Sequence, residues 1–183
     1  MRTLKIIFIA IAIILISILS WTGKTESSGL YRYLIVISVN DFKITLWQIN
    51  GSQKEIQSYT KISSYPIGAP TKDYYLLPMT GEIERIELNP YWYPTANIRL
   101  AYLQDGEILP LAIKPGDPRN AMGKVKFIIK FKNFNEPVRI HGTNQTDSIG
   151  KRSSYKCIRM FDSNAMEIAK IIKNSLTKII IKE

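Results

Sequence analysis

The chain contains one cysteine, Cys157, and one histidine, His141, and they lie sixteen positions apart. A thiol attacks a carbonyl as its thiolate, and an imidazole can take up the thiol proton, so this pair is the minimal set for nucleophilic catalysis. Arg159, two positions beyond the cysteine, can bind a carboxylate through both guanidinium nitrogens. Packing roles are the alternative, because free cysteines are often buried and a single histidine is commonly a hydrogen-bonded structural residue. From these residues alone, a catalytic thiol and a packing role both remain open.

The residue counts exclude several classes of site. One cysteine cannot form an internal disulfide, and one cysteine with one histidine cannot supply a zinc finger or a three-histidine catalytic zinc. We expect neither a metal nor another cofactor. The 183 residues are 45% hydrophobic and 22% charged, which is typical of a folded domain with its own core.

The first residues have the pattern of an export signal. Arg2 and Lys5 precede an apolar run over residues 6–19, and a polar stretch follows Trp21. The run is short for a full membrane span, so cleavage and retention as an anchor both remain open. We expect a signal peptide or signal anchor over residues 1–22, a short tether over 23–31 and one domain over 32–183. The basic flank predicts that this domain is exported to the periplasm or an equivalent extracytoplasmic space, anchored in the cytoplasmic membrane by residues 6–21 if they are retained.

The formal net charge of +10 at pH 7 favours an anionic partner. For an exported protein, anionic lipids and cell-wall polymers are stronger candidates than nucleic acid, and the basic residues are dispersed rather than grouped in a recognition helix. We expect no nucleic-acid partner. A surface charge that serves solubility alone is an equal alternative.

Alternation and turn signals predict a mainly β fold. Asn50-Gly51 is the strongest hairpin signal in the chain. Proline and glycine concentrate between Pro66 and Gly123, where we expect long loops and few strands. Strands are predicted over Tyr33–Val39, Lys43–Ile49, Glu55–Ser63, Lys124–Phe131, Val138–His141 and Thr177–Lys182.

One helix is predicted near the C-terminus, with Asp162, Ser163 or Asn164 as its N-terminal cap. Asn164 followed by Glu167 fits a capping-box-like start. Five small or apolar residues then repeat at helical spacing: Ala165, Ile168, Ala169, Ile172 and Leu176.

The stretch IHGTNQTDSIGKRSSYKCIRM, from Ile140 to Met160, resembles the active-site signature of bacterial L,D-transpeptidases. In that family a His-Gly pair is followed, after a polar segment, by Ser-His-Gly-Cys and often by Ile-Arg-Met. Further stretches resemble family segments in the same order: YPIGAP, MTGEI, ELNPYWYPTANIR (Glu87–Arg99) and KPGDPRNAMGK (Lys114–Lys124). The resemblance covers roughly Tyr33 to Glu183.

The resemblance implies a compact, sandwich-like β domain with one helix after Arg159, in which Cys157 is the nucleophile. It implies that His141 is the base, oriented through its other ring nitrogen by the carbonyl of Gly142. Contacts to substrate are implied for three further residues: Arg159, Ser154 and Trp92. A place in an aromatic core is an equal alternative for Trp92, and fixing the local loop is the alternative for Arg159.

The implied reaction is peptidoglycan L,D-transpeptidation. The thiol attacks the L-centre carbonyl of the third residue of a tetrapeptide stem, releases D-Ala and forms a thioester, which an amine of a neighbouring stem resolves. Some family members use a lipoprotein lysine as the acceptor. Two alternatives remain open: a wall-binding homologue with weakened activity, and a thiol L,D-carboxypeptidase in which water resolves the thioester.

Tyr155 and Lys156 occupy the positions of the family's His-Gly before the cysteine. The loss of the second histidine leaves His141 as the one imidazole base. A lysine ammonium beside the thiol would lower the thiol pKa and favour thiolate. The same two residues can misplace the backbone N–H of Cys157, the expected oxyanion donor, and the loss of such a donor costs about 10²–10³ in rate.

Overall fold

The structure, a computed structural model, describes residues 31–51, 57–71, 78–131, 138–154 and 156–183. The predicted export segment over residues 1–22 lies outside these ranges. Within them the chain forms ten strands and two α-helices. The strands are β1 (Tyr33–Ser38), β2 (Lys43–Asn50), β3 (Ser58–Pro66), β4 (Ala69–Pro70), β5 (Met79–Leu88), β6 (Val125–Phe131), β7 (Arg139–His141), β8 (Arg152–Ser154), β9 (Ile158–Arg159) and β10 (Thr177–Lys182). The helices are α1 (Ala96–Gln104) and α2 (Asp162–Ile172).

Eight of the described strands form one sheet in the order β3-β2-β1-β10-β5-β6-β7-β9. β1 pairs with β10 and β7 pairs with β9 in parallel, and the remaining pairs of this sheet are antiparallel. The sheet curls into a half-barrel, and the segment after β3 reaches the opposite edge. There, Gly68 and Arg159 exchange two backbone hydrogen bonds of 2.8 and 2.9 Å. β4 and β8 form a second, two-stranded sheet.

Alternation along the strands gives the sheet an apolar inner face that packs on α2. Ile35 of β1 and its partner Ile179 of β10 are fully buried there. The helix contributes four residues to the same core: Ala165, Ile168, Ala169 and Ile172. The opposite side, the outer face, carries the intervening residues, such as Val36 of β1 and its partner Ile180 of β10.

A long insert between β5 and β6, residues 89–124, builds a small core of its own around Trp92, Leu109 and Ile113. Asn120 is buried and organises the insert. Its side-chain amide donates to three backbone carbonyl oxygens at 3.0 to 3.3 Å: those of Pro90, Ile113 and Lys114. The insert therefore packs on itself and is tied at both ends by one polar side chain.

Most of the predicted strands are confirmed. β1, β2 and β6 lie where alternation places them, and β10 has the predicted bounds. The third strand runs over Ser58–Pro66 rather than Glu55–Ser63, and residues 52–56 lie outside the described ranges. The region expected to hold few strands contains β4 and the ten-residue β5.

The mainly β fold is confirmed, but in place of a sandwich with one helix the described residues form a curled eight-stranded sheet, a small two-stranded sheet and two α-helices. The additional helix, α1, follows the N-cap residue Thr95, whose hydroxyl accepts the backbone N–H of Ile98 at 3.4 Å. No residue of α1 is buried. The helix therefore lacks the apolar face by which a helix is detected in a sequence. Within the described ranges, no helix is long and apolar enough to cross a membrane.

α2 begins at Asp162 but without the predicted capping box. Its N-cap residue is Phe161, no side chain caps the first turn, and Asn164 lies inside the helix. The carboxylate of Asp162 accepts the backbone N–H of Lys124 at 2.9 Å instead, which joins the helix to the start of β6. The predicted apolar face is confirmed except for Leu176, which lies beyond the end of α2 and is 46% exposed.

Replacing Ile179 by Ala should lower the free energy of unfolding by about 2–5 kcal/mol, because its fully buried side chain leaves a cavity in the core. Ile180 is the matched control, since it is the next residue of β10 and faces the outer side. Ile180→Ala should cost roughly half as much or less. Urea unfolding of the two variants measures the difference, and equal losses would contradict this assignment of faces.

Candidate active site

The parallel pairing of β7 with β9 joins the histidine segment to the cysteine segment. Ile140 lies opposite Ile158, and His141 lies opposite Arg159. Ile140 and Ile158 are buried in the core, so alternation assigns His141 and Arg159 to the outer face. The site therefore lies on the outer face, at the β9 edge of the sheet.

Cys157 directly precedes β9 and is adjacent to the histidine strand. Its sulfur accepts a hydrogen bond from the backbone N–H of Arg139, two residues before His141 on β7. In the part of the chain that the structure describes, no hydrogen bond joins the thiol to the imidazole ring. Catalytic hydrogen bonds are often long in unliganded sites and tighten when substrate binds.

The environment of the thiol keeps it protonated. Burial raises the pKa of Cys157, while the charges of Arg139, Arg159 and Lys156 and the hydrogen bond from Arg139 act in the opposite direction. The effect expected of Lys156 is therefore present, but burial outweighs it. The resting thiol is neutral at pH 7.

His141 is 2% exposed, and its Nδ1 lies 2.5 Å from the carbonyl oxygen of Gly142. Because a carbonyl oxygen can only accept a hydrogen bond, Nδ1 carries the proton. Burial lowers the pKa of the imidazole to about 4; the hydrogen bond to Gly142 raises it, and the charges of Arg159, Arg139 and Lys126 lower it further. At neutral pH the ring is therefore neutral, with Nε2 unprotonated and able to accept a proton.

The Gly142 carbonyl is held in place by a tight junction around Asp162. The N–H of Gly142 donates to the carbonyl of Val125 at 2.9 Å, and Asp162 accepts the N–H of Lys124 at 2.9 Å. A Cβ on Gly142 or on Gly123 would overlap the Asp162 carboxylate, and Gly123 also has a φ of +61°. Position 123 therefore requires glycine, a side chain at position 142 would displace the Asp162 carboxylate, and the junction fixes the carbonyl that orients the imidazole.

Ser154 supports the backbone that carries the thiol. Its side chain is buried, and its hydroxyl donates to the carbonyl oxygen of Cys157. Its own carbonyl accepts the N–H of Thr71 at 3.1 Å. These contacts favour a structural role for Ser154 over the predicted contact to substrate. Tyr155 lies outside the described residues.

Arg159 ties the loop between β7 and β8 to the site. Its Nη1 donates to the side-chain oxygen of Gln145 at 2.9 Å, and the backbone N–H of Gln145 donates to the hydroxyl of Thr143 at 3.0 Å. Its other guanidinium nitrogens have no hydrogen-bond partner within the described residues. The arrangement fits loop fixation and leaves donors for a carboxylate.

Trp92 packs in the core of the insert. It is 7% exposed, and its backbone exchanges hydrogen bonds of 2.9 and 2.8 Å with that of Ile113. This environment favours the packing alternative for Trp92 over a contact to substrate. The neighbouring Tyr91 is 51% exposed.

Comparison with known families decides the class of protein. The family model for YkuD, the L,D-transpeptidase catalytic domain, matches residues 32–181, a range that contains both His141 and Cys157. The chain belongs to the L,D-transpeptidase catalytic-domain family.

Curated relatives of this L,D-transpeptidase domain are similar over shorter stretches. The chain is 41% identical over 78 residues to the probable L,D-transpeptidase ErfK/SrfK of Salmonella typhimurium, covering 43% of this chain and 23% of the relative. It is 35% identical over 105 residues to the probable L,D-transpeptidase YcfS of Escherichia coli, covering 56% of this chain and 32% of the relative. The similarity thus spans a third or less of these relatives' length.

Solved structures show the same fold at low sequence identity. An L,D-transpeptidase from Mycobacterium smegmatis superposes with a TM-score of 0.51 at 15% identity, over 84% of this chain and 59% of the other. L,D-transpeptidase 3 from Mycobacterium tuberculosis superposes with a TM-score of 0.53 at 9% identity, over 84% of this chain and 62% of the other.

Two residues of this family member's site were not singled out by the sequence motifs as part of it. Arg139 contacts the thiol through its backbone, and Asp162 fixes the glycine junction. Arg139 has a detectable signal, because it stands two residues before His141 in a predicted strand and therefore shares its face. No local sequence signal reveals the role of Asp162, because its partner Lys124 is distant in sequence.

The buried imidazole predicts a pH dependence of stability. The folded pKa of about 4 lies below the ordinary value of 6.5, so the unfolded chain binds the proton more tightly between these values. The contribution of the neutral His141 ring to the free energy of unfolding is therefore complete above pH 6.5 and is lost as the pH falls toward 4. Between pH 7 and pH 5, the unfolding free energy of the wild type should fall by about 2 kcal/mol more than that of His141→Gln.

Urea unfolding at both pH values measures this difference, because the glutamine variant retains every other titrating group. Parallel pH profiles for the two proteins would show that His141 is not buried as a neutral ring.

Asp162→Ala should lower the unfolding free energy by about 1–2 kcal/mol, because the Lys124 N–H loses its acceptor. It should also lower turnover by about tenfold, since the Gly142 carbonyl that orients His141 is no longer fixed. Asp162→Asn keeps an acceptor oxygen and should retain most of both quantities. Ser163→Ala, the exposed neighbour, is the control, and equal damage from the Asn and Ala variants would assign the effect to charge instead.

Proposed function

We propose that this chain is a cysteine L,D-transpeptidase that acts on peptidoglycan stem peptides. The observation that carries the proposal is the hydrogen bond from His141 Nδ1 to the Gly142 carbonyl, because it leaves Nε2 as a base next to the segment of Cys157. Membership of the L,D-transpeptidase family supports the same class of reaction.

In the first half-reaction, His141 Nε2 takes the thiol proton as the sulfur of Cys157 bonds to the L-centre carbonyl carbon of the third stem residue. The C–N bond to the terminal D-Ala then breaks, and His141 gives the proton to the leaving amine. The carbonyl oxygen is negatively charged between these steps, and the backbone N–H of Cys157 is its proposed donor. A thioester on Cys157 remains.

The electrostatics favour proton transfer during the attack over a preformed ion pair. Burial raises the pKa of Cys157 and lowers that of His141, so both groups are neutral before the reaction. The guanidinium groups of Arg139 and Arg159 then stabilise the negative charge as it develops on sulfur. In this proposal the two arginines compensate for burial that would otherwise disfavour thiolate.

In the second half-reaction an acceptor amine attacks the thioester, gives a proton to His141, and releases Cys157 as the thiol. One amide bond replaces another, so the cycle consumes no oxidant, reductant or cofactor. The proposed acceptor is the side-chain amine of a neighbouring stem, with a lipoprotein lysine as the alternative. Export and attachment through residues 6–21 would hold the domain at the wall.

A wall-binding homologue with weakened activity is the second candidate. The raised pKa of Cys157 and the Tyr155-Lys156 pair in place of the family's His-Gly favour it. In that case the loop before Cys157 limits catalysis, and restoring His and Gly at positions 155 and 156 should raise the rate strongly.

The deciding experiment incubates the full chain with disaccharide tetrapeptides and separates the products by chromatography. A transpeptidase yields 3→3 cross-linked dimers and free D-Ala, and the Cys157→Ala variant yields neither. Tripeptides without dimers would identify a thiol carboxypeptidase. Sedimentation with peptidoglycan in the absence of any product would identify the wall-binding homologue.

Covalent labelling gives a readout that does not depend on an acceptor. A carbapenem should acylate Cys157, because it offers a strained carbonyl to the same nucleophile. Intact-protein mass spectrometry should find one adduct on the wild type and none on Cys157→Ala. An equal adduct on both proteins would remove Cys157 from its proposed role.

A further inference from the structure

The outer face carries a groove of about 480 Å³ over β1, β2, β3 and β10. Its lining includes the partly buried Leu34, Val36 and Trp47 and the exposed ring of Tyr59. A smaller depression of about 230 Å³ shares Leu34 and Tyr59 with it and extends onto Ile180. The two depressions share residues, and we refer to them together as the outer groove.

Positive charges line the outer groove. Its lysines are Lys43, Lys61, Lys178 and Lys182. None of them forms a salt bridge within the part of the chain that the structure describes. Among the lining residues there is one carboxylate, Asp41, which accepts the hydroxyl of Ser38 at 2.8 Å. The charge of the groove is therefore complementary to an acidic ligand.

The outer groove and the Cys157 site lie on the same face of the sheet. Residues paired across neighbouring strands share a face, and Val36 pairs with Ile180 of β10. Ile180 in turn pairs with β5, and beyond the bulge of β5 Glu87 pairs with Lys126. Lys126 pairs with His141. A long ligand on this face therefore meets both features without crossing the sheet.

A series of contacts also links the neighbour of a groove residue to the strand that precedes the thiol. Asp41 lines the groove, and the adjacent Asn40 accepts a hydrogen bond of 2.7 Å from Arg152. Arg152 begins β8, and its Nη1 donates to the carbonyl oxygen of Pro70 at 3.1 Å. β8 ends at Ser154, whose hydroxyl holds the carbonyl of Cys157.

We propose that the outer groove binds an acidic glycan–peptide strand, so that the domain holds its polymeric substrate at a second position while Cys157 acts on a stem. The inference rests on the proposed function, which supplies the polymer. Sugar rings would pack on Trp47 and Tyr59, and stem carboxylates would pair with the lysines. The volume lies in the range of about 300–1,000 Å³ that is typical of ligand sites.

The test compares two full-length double variants with the same change in net charge. Lys61→Glu with Lys182→Glu reverses charge in the outer groove, and Lys170→Glu with Lys173→Glu reverses it on the exposed side and end of α2. Co-sedimentation with purified peptidoglycan measures the binding affinity. It should fall about five- to thirtyfold for the groove variant and less than about twofold for the α2 variant. Turnover of a soluble disaccharide tetrapeptide should be the same for both, which also shows that both are folded.

Tyr59→Ala provides a second variant that leaves the charge unchanged. It should lower the affinity for peptidoglycan by about threefold or more, because it removes an exposed aromatic ring on which a sugar can stack. Retained binding by both groove variants would overturn the proposal. Equal losses from the groove and α2 lysine pairs would also overturn it, because the effect would then be one of net charge.

Vesicles containing phosphatidylglycerol separate a wall polymer from a membrane surface. If the groove variants lose binding to vesicles but keep binding to peptidoglycan, the surface is a lipid site and the proposal is wrong. The two proposals fail independently. Absence of tetrapeptide turnover by the wild type would contradict the proposed transpeptidase activity. Normal turnover, with peptidoglycan binding unaltered in the groove variants, would contradict the proposed role of the groove.

Discussion

The parallel pairing of β7 with β9 is the constraint on which the site depends. It places Ile140 and Ile158 together in the core, and alternation then brings His141 and Arg159 to the outer face. The junction of Asp162 with two glycines fixes the carbonyl at the end of β7, and that carbonyl selects the ring nitrogen that bears the proton. The packing of Ile140 and Ile158 and the placement of His141 beside the Cys157 segment are thus consequences of one register.

Burial disfavours the charged form of both titratable groups of the site, because desolvation penalises charge of either sign. It raises the pKa of Cys157 and lowers that of His141. The result is a neutral pair, which in the proposed reaction develops charge only during the attack. The guanidinium groups of Arg139 and Arg159 oppose this effect for the thiol and reinforce it for the imidazole. They therefore stabilise a developing thiolate and keep the ring unprotonated at neutral pH.

The half-barrel separates the two sides of the sheet by chemistry. The inner face is an apolar core closed by α2, whereas the outer face carries the thiol site, the outer groove and its lysines. A substrate that is a polymer can make use of such a surface, since contacts remote from the reacting atoms position the reacting group. The insert between β5 and β6 has its own core and its own polar tie through Asn120, which lets it pack as a separate unit.

The sequence by itself determined the mainly β class, strands such as β6 with its clear alternation, the apolar face of α2, and the identity of Cys157 and His141 as candidates; the family resemblance added Gly142. These are local properties, carried by period, turn residues and motif spacing. Only the tertiary structure decided that α1 exists, because a helix with no buried residue leaves no period, and that Asp162 bonds Lys124 instead of capping its helix. It also decided the pKa directions and the packing of Trp92 and Ser154. Burial depends on residues that are distant in the chain and meet only when the sheet curls.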